Sequence, residues 1–203
     1  MDQSEPLSST FNPDLSDLRV ALIKALEHER KYTPIPSAVL KLSAKPLLVI
    51  VDADSLGEHV LIEILRALIS AEPECSCIVS ANRPLPVFRC WAQDQPTSIE
   101  VDLAPPGANE VDLTLSRCSI DVLQQKNHSA VLVLTQDRDL LGIALRWRQA
   151  KCPAFIVPLR QDETAKALLN RCERQGVSTI SIGDLLNLCR PDVYPHKQLR
   201  GDG

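Results

Sequence analysis

Short apolar runs alternate with amphipathic segments along most of the chain. The run at 47–51 is entirely apolar, and apolar residues then recur at helical spacing from Val60 to Leu68. An apolar run between polar flanks is typical of a strand buried on both faces, whereas a 3.6-residue period is typical of a helix packed on one face. The pattern predicts strands at 47–51, 77–80, 99–101, 130–134, 155–157 and 178–181, and helices at 57–71, 110–126, 139–150 and 163–174.

This alternation predicts the fold class. Strands that alternate with helices of about 10–15 residues form βαβ units, whose crossover helices cover the faces of a parallel sheet. We therefore expect an α/β protein with three layers, α/β/α, around a central, mainly parallel sheet. The segment 81–98 contains Pro84, Pro86 and Pro96 and is predicted to be the least regular part of the chain.

The two ends of the chain differ in composition from its centre. The first residues are rich in Ser, Pro and Asp, which favours disorder. Apolar residues then recur at helical spacing from Leu18 to Leu26, until Pro34 ends the pattern. The predicted organisation is a disordered N-terminus at 1–16, a helical extension at 17–45, a main domain at 46–189 and a flexible tail at 190–203.

Composition and charge exclude several classes of protein. No apolar run approaches the roughly 18 residues of a membrane span, and the N-terminus lacks the features of a secretory signal, so we expect a cytoplasmic protein with no membrane partner. The seven cysteines lack zinc-finger spacing and are expected to be reduced thiols. The net charge of −4 is opposite in sign to that of most proteins that coat phosphates. Basic residues do concentrate between Arg146 and Arg174, either on solvated helix faces or along an RNA track.

Aspartates follow two of the predicted strands. Asp52 comes directly after the strand at 47–51, and Thr135 and Asp137 follow the strand at 130–134. Open α/β sheets bind ligands at the carboxyl ends of such strands. Carboxylates gathered there repel one another unless a cation lies between them, and oxygen ligands suit Mg²⁺ or Mn²⁺. The sequence therefore predicts an acidic metal site.

Three ordered motifs resemble those of the NYN branch of the PIN-like nuclease superfamily. They are the strand that ends in Asp52, the sequence Gly107-x-Asn109-x-x-Asp112 at the start of a helix, and the sequence Thr135-x-Asp137-x-Asp139-Leu140 after a later strand. The resemblance covers roughly residues 46–160, with the order and spacing of the motifs preserved.

The resemblance implies a PIN-like α/β/α domain that hydrolyses RNA phosphodiesters with one or two Mg²⁺ or Mn²⁺ ions. It implies Asp52, Asp112 and Asp137 as catalytic metal ligands, and Asp139 as a further ligand or a residue supporting the ligands. Substrate contacts are expected from Asn109, Ser55 and Thr135. The partner implied is RNA, and a protein partner or a homodimer is a further expectation.

Three substitutions relative to the family pattern motivate a second hypothesis. Ser55 replaces an asparagine, Ala108 replaces a lysine, and Cys118 replaces a fourth acid. These changes favour a PIN-like module that binds RNA or protein without catalysis. A salt bridge from Arg138 or Arg117 into the acidic cluster would support this hypothesis.

A third hypothesis is a phosphatase. The sequence from Val51 to Leu56 also resembles the first motif of haloacid-dehalogenase phosphatases. This resemblance implies Asp52 as the nucleophile, Asp54 as the general acid and Asp184 as a metal ligand, with supporting roles for Thr135 and Lys166.

Each acidic residue also has a purely structural interpretation. Asp54 or Ser55 fits a helix N-cap better than Asp52 does, and one member of the pair Asp137 and Asp139 is predicted to be an N-cap. Asp112 in a first helical turn is favoured by the helix dipole alone. Trp147, on an apolar helix face, is expected to belong to the core.

Overall fold

The structure is a computed structural model that describes residues 46–107, 109–160 and 162–189, without the side chains of Asn187 and Leu188. The predictions of a disordered N-terminus at 1–16, a helical extension at 17–45 and a flexible tail at 190–203 lie outside the described residues.

Strands and helices alternate throughout the described chain. The six strands are β1 (Leu47–Asp52), β2 (Ser76–Ala81), β3 (Ser98–Leu103), β4 (Ala130–Thr135), β5 (Ala154–Pro158) and β6 (Ser178–Thr179). The six α-helices are α1 (Glu58–Ala71), α2 (Pro86–Gln93), α3 (Glu110–Gln125), α4 (Leu141–Gln149), α5 (Glu163–Gln175) and α6 (Ile182–Cys189). A short 3-10 turn, Ala53–Ser55, follows β1.

The strands form one parallel sheet with the order β3-β2-β1-β4-β5-β6. The chain first moves outward from β1 through β2 to β3, and then returns to place β4 on the other side of β1. The direction of winding therefore reverses between β1 and β4. In open α/β sheets this reversal opens a crevice at the carboxyl ends of the two strands, which is where ligands bind.

Apolar side chains cover both faces of the sheet. Val49 and Val51 point to one face, where they belong to a buried cluster with residues of α1, α2 and α6. Leu48 and Ile50 point to the other face, in a cluster with residues of α3, α4 and α5. The result is the predicted three-layer α/β/α architecture. Trp147 is 1% exposed and belongs to the core, as predicted. None of the described helices is long and apolar enough to cross a membrane.

The prediction of an irregular segment at 81–98 was wrong. Helix α2 lies there and buries Phe88, and Pro86 occupies its first turn. Proline is compatible with that position because the first N–H groups of a helix have no partner within the helix. The last predicted strand also ends earlier than expected, because Ser181 already bonds to Asp184 at the start of α6.

Candidate functional site

A cleft opens at the carboxyl ends of β1 and β4, where the winding of the sheet reverses. It has a volume of about 740 Å³. Its walls come from the turn after β1, the end of β2, the first turns of α3 and α5, and the segment after β4. The polar residues that line it are Asp52, Asp54, Ser55, Asn82, Asn109, Asp112, Gln136, Asp137, Arg138, Glu163 and Thr164.

Asp52 lies at the base of this cleft and is only 7% exposed. Its Oδ1 accepts a hydrogen bond from the backbone N–H of Asp54 at 3.2 Å. Its Oδ2 accepts from the hydroxyl groups of Ser55, at 3.3 Å, and Thr135, at 3.2 Å. Burial raises the pKa of the Asp52 carboxyl, and these hydrogen bonds oppose the rise because they stabilise its ionised form.

The Thr135 hydroxyl connects Asp52 to the segment that carries Asp137. Its oxygen accepts from the backbone N–H of Asp137 at 2.8 Å, so its own proton is free to be donated to Asp52. The Asp137 carboxylate in turn accepts from the backbone N–H of Asp139 at 2.8 Å. These bonds fix the turn after β4 relative to the end of β1.

Three carboxylates converge in front of these strands. One carboxylate oxygen from each of Asp112, Asp137 and Asp139 lies within 4.8 Å of the other two. Burial raises the pKa of Asp112 to about 6, with further contributions from the charges of Asp137, Asp52 and Asp139. The cluster is therefore a place where negative charge is costly and where a cation would relieve the repulsion.

The donor set fits a hard divalent cation. Its ligands would be carboxylate oxygens from two chain segments, and Mg²⁺ and Mn²⁺ bind such oxygens together with water. Asp139 is exposed, and Asp112 and Asp137 are half-buried. Asp52 is near enough to raise the pKa of Asp112, but it is not one of the three residues whose oxygens converge. Its oxygens are already engaged by two hydroxyl groups and a backbone N–H.

The structure also places the residues predicted to contact substrate. Asn109 precedes α3 with a left-handed φ of 65°, is exposed, and lines the cleft without a side-chain cap bond to the helix. Ser55 lines the cleft and donates to Asp52. Thr135 is fully buried and holds the two aspartate segments together.

The predicted capping roles were wrong in detail. Asp52 itself, rather than Asp54 or Ser55, caps the 3-10 turn through the backbone N–H of Asp54. The Asp54 carboxylate instead accepts from the backbone N–H of Asn82, at 3.0 Å and 3.1 Å. Leu140 occupies the N-cap position of α4, because the Asp137 side chain closes a turn onto Asp139 before the helix begins. Asp112 does lie in the first turn of α3, as predicted.

Sequence reasoning missed the residues that connect the walls of the cleft. Gln136 is buried and bonds to Leu159, Arg160 and Asp162. Arg160 donates to the carbonyl of Ser55 at 2.9 Å, and Arg83 donates to the carbonyls of Ala53 and Leu56. The sequence carries no local signal for these bonds, since each joins segments more than 20 residues apart that only the sheet order brings together.

Two basic side chains lie close to the acidic cluster. Arg171 of α5 forms an ion pair with Asp139 at 3.6 Å, and both side chains are at least half exposed. Arg138 lines the cleft. In the part of the chain that the structure describes, the ion pair into the cluster comes from Arg171 rather than from Arg138 or Arg117.

Two residues of the phosphatase pattern are not among those that line the cleft. The Lys166 ammonium group bonds to Glu163 at 2.6 Å on the exposed face of α5. Asp184 accepts from the Ser181 hydroxyl at 2.9 Å at the start of α6. Neither lines the cleft that contains Asp52.

Comparisons with known proteins leave the family open. No family model matches the chain, and no curated protein matches it at a significant level. One solved structure to which the chain is similar is a UDP-glucosyltransferase from Polygonum tinctorium in complex with 3,4-dichloroaniline, with 17% sequence identity and a TM-score of 0.38. The match covers 67% of this chain, and the chain spans about a third (34%) of the glucosyltransferase. Another is the FMN-dependent cysteine decarboxylase SpaF (15% identity, TM-score 0.43, covering 69% of this chain and 85% of that one). Both similarities are too weak to bear on function.

Proposed function

We propose that this protein is a metal-dependent ribonuclease whose active site is the cleft between β1 and β4. The observation that carries the proposal is the convergence of oxygens from Asp112, Asp137 and Asp139 within 4.8 Å of one another, at the point where the winding of the sheet reverses. Such an arrangement suits a cation-assisted attack on a phosphodiester.

Each acidic residue has a distinct part in this proposal. Asp112, Asp137 and Asp139 would hold Mg²⁺ or Mn²⁺, which when bound would polarise the phosphodiester and stabilise the departing oxygen. Asp52, at the base of the cleft, has a raised pKa and is suited to accept a proton from an attacking water. Thr135 and Ser55 orient the Asp52 carboxylate through their hydroxyl groups.

RNA as the substrate rests on the resemblance to NYN domains. Asp52, Asp112, Asp137 and Asp139 occupy the acidic positions of that pattern, and the α/β/α architecture is the one the pattern implies. Asn109 at the exposed rim is placed to contact a phosphate or a base. A bound cation would offset the net charge of −4, which otherwise opposes the approach of RNA.

A non-catalytic binding module is the second candidate. The ion pair between Arg171 and Asp139 already supplies part of the counter-charge that a metal ion would supply. In addition, Cys118 stands where the NYN pattern has a fourth acid. Its side chain packs against the buried cluster between α3 and the sheet and does not line the cleft. A chain that had lost catalysis would retain the fold and the cleft.

Cleavage of a labelled single-stranded RNA in Mn²⁺ tests the proposal. The variants are Asp112→Asn and Asp137→Asn, and the matched control is Asp121→Asn, which removes an exposed carboxylate from the same helix as Asp112. We expect cleavage by the wild type and by the control, and a loss of about 100-fold or more in the two site variants.

The other outcomes discriminate between the candidates. Cleavage that survives both site substitutions overturns the acidic cluster as the active site. Binding of RNA without cleavage, at any concentration of Mn²⁺, favours the non-catalytic module.

A further inference from the structure

One buried side chain, that of Gln136, joins the end of β4 to the opposite wall of the cleft. Gln136 lies between Thr135 and Asp137 and is 8% exposed. Its Oε1 accepts from the backbone N–H groups of Leu159 and Arg160, both at 3.0 Å. Its Nε2 donates to Oδ1 of Asp162 at 2.9 Å. A single amide thus uses both of its ends on the segment between β5 and α5.

The chemistry of these partners fixes the orientation of the amide. Two backbone N–H groups require an acceptor, and a carboxylate requires a donor. A flipped amide would place its NH₂ against two donors and its oxygen against a carboxylate, which would be unfavourable at all three contacts. Gln136 therefore has one orientation, and that orientation depends on Asp162.

The segment held by Gln136 forms a wall of the cleft. Asp162 is the N-cap of α5 and accepts from the backbone N–H of Ala165 at 3.0 Å, a bond that helps to lower the pKa of Asp162. The next residues, Glu163 and Thr164, line the cleft. Arg160, on the same segment, bonds to the carbonyl of Ser55 in the turn after β1. Hydrogen bonds therefore join the ends of β1, β4 and β5 through this segment.

We propose that Gln136 is a positioning residue for the substrate-binding wall of this ribonuclease site, setting where Glu163 and Thr164 at the start of α5 meet a bound RNA strand. This inference rests on the proposed function. The metal-binding carboxylates have other supports, since Asp137 is held by Thr135, Asp139 by its bond to Asp137, and Asp112 by α3. The ion pair from Arg171 of α5 to Asp139 is solvent-exposed. A substitution of Gln136 therefore weakens the binding of RNA and leaves the affinity for the metal ion unchanged.

A charge exchange between Gln136 and Asp162 tests the inference. Gln136→Glu keeps an acceptor for Leu159 and Arg160 but opposes two carboxylates at the other contact. Adding Asp162→Asn removes one of the two opposed charges, and asparagine is still a good N-cap when its oxygen takes the place of Oδ1, which accepts from both Gln136 and Ala165. Asp162→Asn alone leaves the Gln136 amide with an acceptor and is the matched control.

The readouts are KM and kcat for single-stranded RNA cleavage, Mn²⁺ affinity by calorimetry, and the melting temperature of each variant. We expect Gln136→Glu to raise KM by about tenfold, with kcat changed by less than about threefold and Mn²⁺ affinity unchanged. The double variant is expected to recover part of the loss, because the repulsion between two carboxylates is removed. Should Gln136→Glu fail to fold, Asp162→Ala removes the same contact from the exposed side and is expected to raise KM alone.

Four results would overturn the inference: a KM that does not change in Gln136→Glu, a loss that appears only in kcat, a loss of Mn²⁺ affinity, or a double variant no better than the single one. Failure of the proposed function is recognised separately. In that case the wild type itself neither cleaves nor binds the RNA, and the role assigned to Gln136 is overturned with it.

Discussion

At the scale of single residues, the Thr135 hydroxyl group connects two of the chain segments that carry carboxylates. It accepts a hydrogen bond from the backbone N–H of Asp137 and donates one to Asp52. Both contacts are at least partly buried. If the hydroxyl were removed, the Asp137 N–H and the Asp52 carboxylate would each lose a hydrogen bond in a place where water cannot easily replace it. Thr135 thus contributes to stability and to the geometry of the site at the same time.

Thr135→Val removes this hydroxyl while keeping the shape of the side chain. We expect the free energy of unfolding to fall by about 1–3 kcal/mol, because the Asp137 N–H loses its partner and the Asp52 carboxylate loses one of its three donors. Urea unfolding followed by circular dichroism measures the change. Thr135→Ser keeps the oxygen and is the control, with an expected loss of less than about 1 kcal/mol from one buried methyl group. Equal losses in both variants would contradict the role of the hydroxyl.

Asp112 is expected to make the metal-free protein less stable as the pH rises. Its pKa is about 6 in the folded chain, against an ordinary value of 3.8. Between these values the folded state holds a proton that the unfolded state has released, so stability falls as the pH rises through this window and stays low above it. Asp112→Asn should then stabilise the metal-free protein by about 1–2 kcal/mol at pH 8, a figure reduced for partial solvent exposure.

The same substitution should stabilise the protein less at pH 4.5, where the folded carboxyl is already protonated. Urea unfolding in a chelator at both pH values measures the difference. Asp121→Asn, which removes an exposed carboxylate from the same helix, is the control. A stabilisation of equal size at both pH values would show that the charge of Asp112 is not its cause.

At the scale of secondary-structure elements, the end of α5 depends on one glycine. Gly176 has a φ of 62°, and its N–H bonds to the carbonyl of Glu173 at 3.0 Å. The N–H of Val177 bonds to the carbonyl of Cys172 at 2.9 Å, which completes a Schellman motif. Arg148 of α4 donates to the carbonyl of Gln175 at 2.9 Å, so α4 also stabilises this helix end.

Gly176→Ala should therefore lower the free energy of unfolding by about 1 kcal/mol, because a Cβ is unfavourable in the left-handed region. Gly142→Ala is the matched control with the opposite sign. Gly142 lies inside α4, a Cβ added there meets nothing within 4 Å, and alanine should stabilise the helix by about 0.5 kcal/mol. Thermal or urea unfolding of both variants tests the pair, and a loss of stability in both would contradict this account.

Most elements could be predicted from hydrophobic periodicity, and the exceptions have physical reasons. The strand after Pro46 and the helix that carries Asp112 have clear periods and were predicted at the correct places. Helix α2 was missed because Pro86, which was interpreted as a helix breaker, occupies the first turn, where proline is tolerated. Helix α6 was also not predicted, since only eight residues between Ile182 and Cys189 carry its pattern.

At the scale of the whole molecule, the strand order determines which distant residues become neighbours. The positions of Asp52 and Asp137 after predicted strands were enough to predict an acidic site, and the resemblance to NYN domains added Asp112 to it. The contacts of Gln136 with Asp162 and of Arg160 with Ser55 were not predictable, because they depend on β1, β4 and β5 lying side by side. Periodicity identifies strands but does not give their order in the sheet.

The overall charge of the protein opposes the binding of RNA. The net charge is −4, and the cleft gathers the carboxylates of Asp52, Asp112 and Asp137. Without a cation these charges repel a phosphate backbone, whereas a bound divalent ion neutralises much of the negative charge and can itself bind a phosphate oxygen. We expect the affinity for a short single-stranded RNA to be at least about tenfold lower in a chelator than in Ca²⁺, an ion chosen to limit cleavage during the measurement.

Fluorescence anisotropy of a labelled RNA at constant ionic strength measures this difference. In Asp112→Asn the requirement for the cation should become weaker, because one of the three converging carboxylates is absent and the site both holds the ion less tightly and repels the RNA less. Asp121→Asn should behave as the wild type does. An affinity that is the same with and without the divalent ion would show that RNA binds through basic side chains such as Arg171 and not across the acidic cleft.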